Sequence, residues 1–467
     1  MSRSGGLLEL VARGKKDVFF TSNPAVCFFH SIYHRSAAFT KEIYVTKSRN
    51  VPEWGRYVDF DIDHRGDIIK QSFLRIQLPT WIPPALVSTN NTGIVSDLSG
   101  ITYGYVNNVG YLMIDKIQLF NDNVLLCETY GTYMDWRHRQ SYEFGTTFLF
   151  NEAVGGRVES AIAIERSSTS TALRVPIPIL GWQTLGDPGL PIVALRGSRY
   201  RIRIHLRPYA DVLVASDGRL KPNPFSMPLS AQSVKNGSVD TSQRSLTASC
   251  MKNLDISLET TYMYLPADVN TWLRASVLRF PFHHVQQQIF TIEDNIMNAA
   301  AHSATDLKFP LSLDFMGPVS RLLVGFRSEA NTLSGQLNVL RPPAPGTIFV
   351  KSMRLNIANI DRVKTWDMAT FREVSTYWKN RRMPLDQFNT DKPDEIYTVS
   401  FGGFDYNSPA GTLSFTRAVL PTLYLVLNST PYDTRNISRK SYAIVYAESW
   451  NVYEIGRSTG RLLFDDS

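Results

Sequence analysis

Asp59, Asp61 and Asp63 stand at alternate positions and make a compact acidic set. A calcium loop of the helix-loop-helix kind would add a turn glycine and a later bidentate glutamate. Both are missing, so the spacing predicts the wet face of a strand whose other face carries Val58, Phe60 and Ile62. His30 and His34 are one helical turn apart, but no zinc-protease glutamate accompanies them and their surroundings read as strand. His283 and His284 would point to opposite faces of a strand, which disfavours joint ligation. No phosphate-binding loop, dinucleotide fingerprint, nucleophile elbow or Cys-His signature occurs. Paired carboxylates brought together from distant loops, as in a β-sandwich glycan hydrolase, stay open as an alternative. The residues themselves predict no catalytic, cofactor-binding or metal-ligating set.

The elements that would position any such residues are strands. Aromatics make up 12% of the 467 residues, with 25 Pro and 28 Gly, which favours short strands and many turns. Tyr200, Ile202, Ile204 and Leu206 alternate with Arg201, Arg203, His205 and Arg207, the cleanest period-two run in the chain. Ile68 to Leu78 reads as a strand, and Tyr111 to Leu126 as two strands around an Asn121-Asp122-Asn123 turn. The second half repeats the style at Leu258 to Leu265, Val319 to Phe326, Ile396 to Phe401, Leu423 to Leu427 and Tyr442 to Ile455. Helical spacing is confined to Leu7 to Arg13 and Met368 to Lys379. Pro83 to Gly104 and Arg137 to Ala172 read as long surface loops, and polar residues 210 to 252 as a crossing between two all-β halves. The halves share no residue-level repeat.

The net charge of +7 is uneven. Residues 1 to 50 carry +5 and residues 351 to 382 another +5, leaving −3 on the rest. Such patches suit phosphates, anionic headgroups or acidic neighbours, or simply water. A charged fraction of 19% is low for a soluble domain and suits a surface covered by partners. Cys27, Cys127 and Cys250 are odd in number and far apart, which predicts reduced thiols. Neither a secretory signal nor an apolar run of spanning length is read, so synthesis in the cytosol is expected. The sequons at Asn90, Asn236, Asn428 and Asn436 are near chance in number, and no glycan is assigned to them.

The opening stretch has Gly5, Gly6, Leu7, Leu10, Val11, Gly14, Asp17, Val18, Thr21, Asn23, Pro24, Phe28, Phe29, Tyr33, Arg35, Phe39 and Glu42 at matching positions. It resembles the start of the major capsid proteins of large nucleocytoplasmic double-stranded DNA viruses (iridovirus, phycodnavirus and marseillevirus-like). The likeness continues in order through Arg65 to Ile69, Asn107 to Tyr133, Pro176 to Pro178, Gly189 to Leu195, Leu355-Asn356, Ile396 to Phe401, Ser408 to Arg417 and Ala447 to Phe464. Departures are the basic Gly14-Lys15-Lys16-Asp17, the Ile177 to Trp182 segment and Phe401-Gly402-Gly403-Phe404.

The resemblance implies an all-β chain of two consecutive antiparallel eight-stranded jelly-roll sandwiches with long surface loops and a short N-terminal arm. Its divisions would be an arm at 1–24, a first roll at 25–210, a crossing at 211–252 and a second roll at 253–467. It further implies a structural, non-enzymatic subunit: a homotrimeric pseudo-hexagonal tile of an icosahedral shell, located in the virion. Partners would be neighbouring trimers, minor capsid proteins and an inner viral membrane, without sequence-specific nucleic-acid binding. Arg13, Lys15, Lys16, Asn23 and Pro24 would make inner-face assembly contacts. A minor capsid or penton component of the same virus is the nearer alternative.

Overall fold

The computed structural model describes residues 38–79, 94–97, 101, 103–141, 152–156, 171–178, 189–223, 228–232, 239–245, 254–302, 307–340, 349–368, 370–371, 395–401, 411–428, 440–456 and 458–464. Residues 1–39 and 40–467 are separate compact units, and the described strands belong to the second.

Every strand pairing among the described residues is antiparallel. One sheet orders its strands Thr40–Lys47, Asp255–Tyr264, Ile68–Leu78, Thr171–Ile177. A second orders Tyr57–Ile62, Tyr200–Leu206, Ile114–Asn121, Val124–Tyr130. Leu74 and Ile76 of the first sheet share one core with Phe60, Ile202 and Ile204 of the second. The alternation of Tyr200–Leu206 is realised in full: Tyr200, Ile202, Ile204 and Leu206 are buried while Arg201, Arg203, His205 and Arg207 are half-buried. The expected turn also forms. Asp122 (φ 52°) and Asn123 link the two strands, and Asp122 exchanges bonds with the Arg199 backbone.

In the other half, one sheet runs Leu278–Ile292, Ser441–Gly456, Pro318–Ser328, Ile396–Ser400, with Leu413–Ser414 and Thr459–Leu462 appended. Its companion runs Lys308–Ser312, Thr422–Leu427, Val350–Ile357, Ile360–Asp367. Leu322, Val324, Phe326, Ala443, Val445 and Ala447 join Met353, Leu355, Leu423 and Leu425 in a second core. Leu323, Ile444 and Tyr446, on the opposite face of the same strands, belong to the first core. Successive residues of a strand point to opposite faces, so this sheet serves two cores at once. That is why Ser441–Gly456 is buried almost without interruption.

Several sequence expectations are corrected. Asp255–Tyr264, expected to open the second half, is hydrogen-bonded between Thr40–Lys47 and Ile68–Leu78. Residues 210 to 252, read as a crossing, contain strands: Pro228–Gln232 pairs with Val239–Ser245 and with Ile94–Asp97, and Leu213–Ala215 pairs with Tyr103–Tyr105. Pro83 to Gly104 is therefore not wholly a loop. Arg137–Gln140 and Val154, read as surface loop, are buried. The Leu278–Ile292 strand was not foreseen, because Pro281 and the Gln286-Gln287-Gln288 run mask its pattern. It lies at the sheet edge, where a proline is tolerated. There Gln286 donates to the Met316 carbonyl (2.7 Å) and accepts from the Met316 N–H (2.9 Å). Gln288 treats Asp314 in the same way at 3.0 and 3.1 Å, so side-chain amides stand in for a neighbouring strand. No helix among the described residues is long and apolar enough to cross a membrane.

Candidate functional site: the seam between two sandwiches

The most chemically unusual region is where the face carrying Arg321, Leu323, Gly325, Tyr446 and Glu448 meets the other half. Against it lies the Gly131–Ser141 helix. This helix is polar nearly all round, yet Tyr133 through Gln140 are all buried, at no more than 4% exposure. A helix with no apolar stripe is ordinarily a wet one; here Tyr133, Arg137, Arg139 and Gln140 find partners across the seam.

Glu448, 1% exposed, is the hub. Arg321, its cross-strand neighbour, grips the carboxylate with two nitrogens, Nε on Oε2 and Nη2 on Oε1 at 2.7 Å. Arg137 Nη1 donates to Oε1 at 2.9 Å, and the Tyr133 hydroxyl donates to the same oxygen at 2.5 Å. Burial alone pushes the Glu448 carboxyl up, but the two guanidiniums override it and hold the group well below the carboxylate range. Arg139 donates to the Asn338 carbonyl at 3.1 Å and Gln140 to the Thr398 hydroxyl at 3.3 Å. Asn108 donates to Asp135 at 2.7 Å, anchoring the helix on its other side.

Aromatic packing completes the join. The Tyr446 ring lies 5.8 Å from Tyr130, 5.5 Å from Tyr133 and, edge-on, 5.1 Å from Trp136. Trp136 comes so close to Gly325 that a Cβ there would sit 2.3 Å from its ring. Farther along, the Tyr200 and Tyr453 hydroxyls bond each other, and Asn121 donates to the Gly460 carbonyl at 2.9 Å.

This arrangement holds parts together, and its carboxylates are taken up by partners. Among the described residues the buried carboxylates are Asp59, Asp67, Asp135, Glu395, Glu448 and Glu454. Asp59, Asp135, Glu448 and Glu454 are each ion-paired to arginine. Asp67 accepts from Leu265 N–H and Asn270, and Glu395 from Phe349 N–H. A general acid needs a carboxyl kept protonated near neutrality, whereas the pairing at Glu448 and Glu454 lowers theirs.

The residues singled out from sequence fare unevenly. Asp59 is not on a wet face: it is 6% exposed and takes Arg203 through two bonds of 2.8 and 2.9 Å. Asp61 is exposed, 3.9 Å from Arg49. The signal for Asp59 lay in two complementary runs, since Asp59 and Asp61 face Arg203 and Arg201 in register. His283 is buried with its ring 3.9 Å from Trp450. Cys127 is buried. Arg13, Lys15, Lys16, Asn23, Pro24, His30, His34, Cys27 and Cys250 lie outside the described residues. Sequence reasoning missed Arg137, Arg321 and Glu448 altogether. The one local clue was a glutamate interrupting the apolar run Ala443–Ala447 and Trp450.

Residues 27–275 match the family model described as the major capsid protein N-terminus. The chain is 25% identical over 204 residues to probable capsid protein 4 of Acanthamoeba polyphaga mimivirus, covering 44% of this chain and 38% of that protein. It is 25% identical over 222 residues to the major capsid protein of Pyramimonas orientalis virus, covering 46% and 50%. The chain thus spans half or less of the length of these curated relatives. Among solved structures, the PBCV-1 virus capsid quasi-atomic model superposes with a TM-score of 0.69 at 15% identity, covering 94% of this chain and all of that one. The Faustovirus major capsid protein gives 0.60 at 12%, covering 96% of each. The fold is the double jelly roll of those viral capsids, and with more than half its length matched by the family model, the chain belongs to the major capsid protein family.

Proposed function

We propose that the chain is a major capsid protein of a large double-stranded DNA virus, resident in the virion and structural rather than catalytic. The observation that carries this reading is the seam: two sandwiches tied by buried ion pairs and aromatic packing into one rigid unit. Two similar sandwiches per subunit suit a homotrimer that presents six pseudo-equivalent corners, because each heterologous interface closes on rotation. Such tiles would pack into an icosahedral shell, where many weak contacts add up through multivalency. The divisions of such a subunit are an arm over 1–24 and two rolls, with Asp255–Tyr264 counted in the first roll on its pairing.

Neighbouring trimers are the main partners. Minor capsid proteins and an inner membrane are the partners for the basic arm, through Arg13, Lys15, Lys16 and the Asn23-Pro24 turn. Light scattering on the purified protein tests the tile: a stable trimer is expected, and a monomer that hydrolyses glycans would sink the reading. Deleting residues 1–16 should leave trimers intact and block shell assembly. Loss of the trimer itself would refute that division of labour.

A further inference from the structure

One buried cation on the seam face forms no ion pair among the described residues. Arg327, on the Pro318–Ser328 strand, is 8% exposed, and its Nε and Nη1 are buried without a hydrogen-bond partner. No ion pair to it occurs among the described residues. A second guanidinium, Arg207, just past the Tyr200–Leu206 strand in the other half, acts on Arg327 with a field that opposes its charge, and Asp211 acts on it with the opposite sign. Arg207 is partly served: Nη2 lies 3.2 Å from Asp115 Oδ1 and 3.2 Å from the Thr132 hydroxyl, while its Nε is buried without a partner. Asp211 feels both arginines but forms an ion pair with neither. The Tyr446 hydroxyl feels both cations and accepts from Gln287 at 2.9 Å.

An uncompensated charge taken out of water costs several kcal/mol in effective terms, and arginine is ill suited to relieve it by losing its proton. A planar fork with unused N–H groups matches a carboxylate or phosphate. We propose that Arg327 and Arg207 form an anion site at the seam, taking one small oxyanion between guanidiniums supplied by the two halves of the chain. With Arg327 only 8% exposed, the fit is to a small ion rather than to a neighbouring protein's surface. The bound anion would cement the sandwiches from the side opposite in charge to Glu448. This holds whether or not the chain builds a shell.

Inorganic phosphate and succinate, titrated separately into the full chain at constant ionic strength against chloride, test the site by calorimetry and thermal melting. Saturable binding near one anion per chain is expected, with Tm raised by about 2 °C over chloride. The tighter of the two anions assigns the class, phosphate or carboxylate. Arg327→Met should abolish binding and, in chloride, melt no lower than wild type because it removes an unpaired buried charge. Absence of binding by both anions, or unchanged affinity in Arg327→Met, overturns the proposal. Should that variant not fold, Arg207→Gln serves in its place: at least a tenfold loss of affinity supports the site, and unchanged affinity refutes it.

Discussion

The two faces of a single sheet make the sharpest comparison in the molecule. On the Pro318–Ser328 and Ser441–Gly456 strands, Leu322, Val324, Phe326, Ala443, Val445 and Ala447 enter a core of aliphatic and phenylalanine side chains. One residue over, Arg321, Gly325, Arg327, Tyr446 and Glu448 face the other sandwich with charges, hydroxyls and a close-packed tryptophan. Apolar packing is non-directional and roughly proportional to the area buried, so it holds a sandwich together without dictating one arrangement of two sandwiches. Bidentate ion pairs and hydroxyl bonds are directional. The seam uses them where the relative placement of two rigid bodies matters.

Breaking the hub should have the largest effect. Glu448→Ala leaves Arg137 and Arg321 buried and facing each other, at a cost of about 3–5 kcal/mol. Calorimetry should then show two transitions in place of one, and a single unshifted transition would contradict the assigned role. Leu322→Ala, on the adjacent residue of a paired strand, should cost about 2–5 kcal/mol through a cavity. It should lower one transition without splitting it, which distinguishes the two faces.

Acid offers the same test without mutation. The folded Glu448 carboxyl is held below its ordinary value of 4.5, so the unfolded chain binds its proton first as pH falls. Its stabilisation is complete above the ordinary range and drains away as pH drops below 4.5 toward the depressed folded value. Thermal melts from pH 6 to 3 (about that span suffices) should steepen below the ordinary range in wild type. The Glu448→Gln variant should lack that part of the slope, and parallel curves would count against it.

Gly325→Ala forces a methyl into the Trp136 ring and should cost about 1–3 kcal/mol by overpacking, read from denaturant midpoints. An unaffected midpoint would mean that the tryptophan gives way freely. Smallest of all, Tyr200→Phe removes one hydroxyl of the Tyr200–Tyr453 pair and should cost about 1 kcal/mol. The same denaturant midpoints check it, and a value equal to wild type would show that the hydroxyl pair is dispensable.

Much of the fold was legible because a half-buried strand writes its environment in a two-residue period. Tyr200–Leu206 and Ile68–Leu78 were read to within a residue. The doubly covered Ser441–Gly456 was read as a strand, but its second cover was not, since a strand buried on both faces loses its alternation. The Gly131–Ser141 helix was invisible because a polar helix carries no periodic apolar signal. Leu278–Ile292 was hidden by glutamines whose amides complete the sheet edge, a use that only the position of Met316 and Asp314 reveals. Of the inner-face residues proposed from resemblance, none falls within the described region.

By itself the sequence determined what depends on local pattern: an all-β chain, its main strands, the Asp122-Asn123 turn, and a family likeness carried by ordered segments. Tertiary structure alone decided which polar residues are buried together. Arg321 and Arg137 lie 127 and 311 positions from Glu448, and a charge's environment is set by what packs against it in space. Residue type told that these side chains are ionisable; only the meeting of two sandwiches made one carboxylate the hub of the seam and left one buried arginine with no ion pair among the described residues.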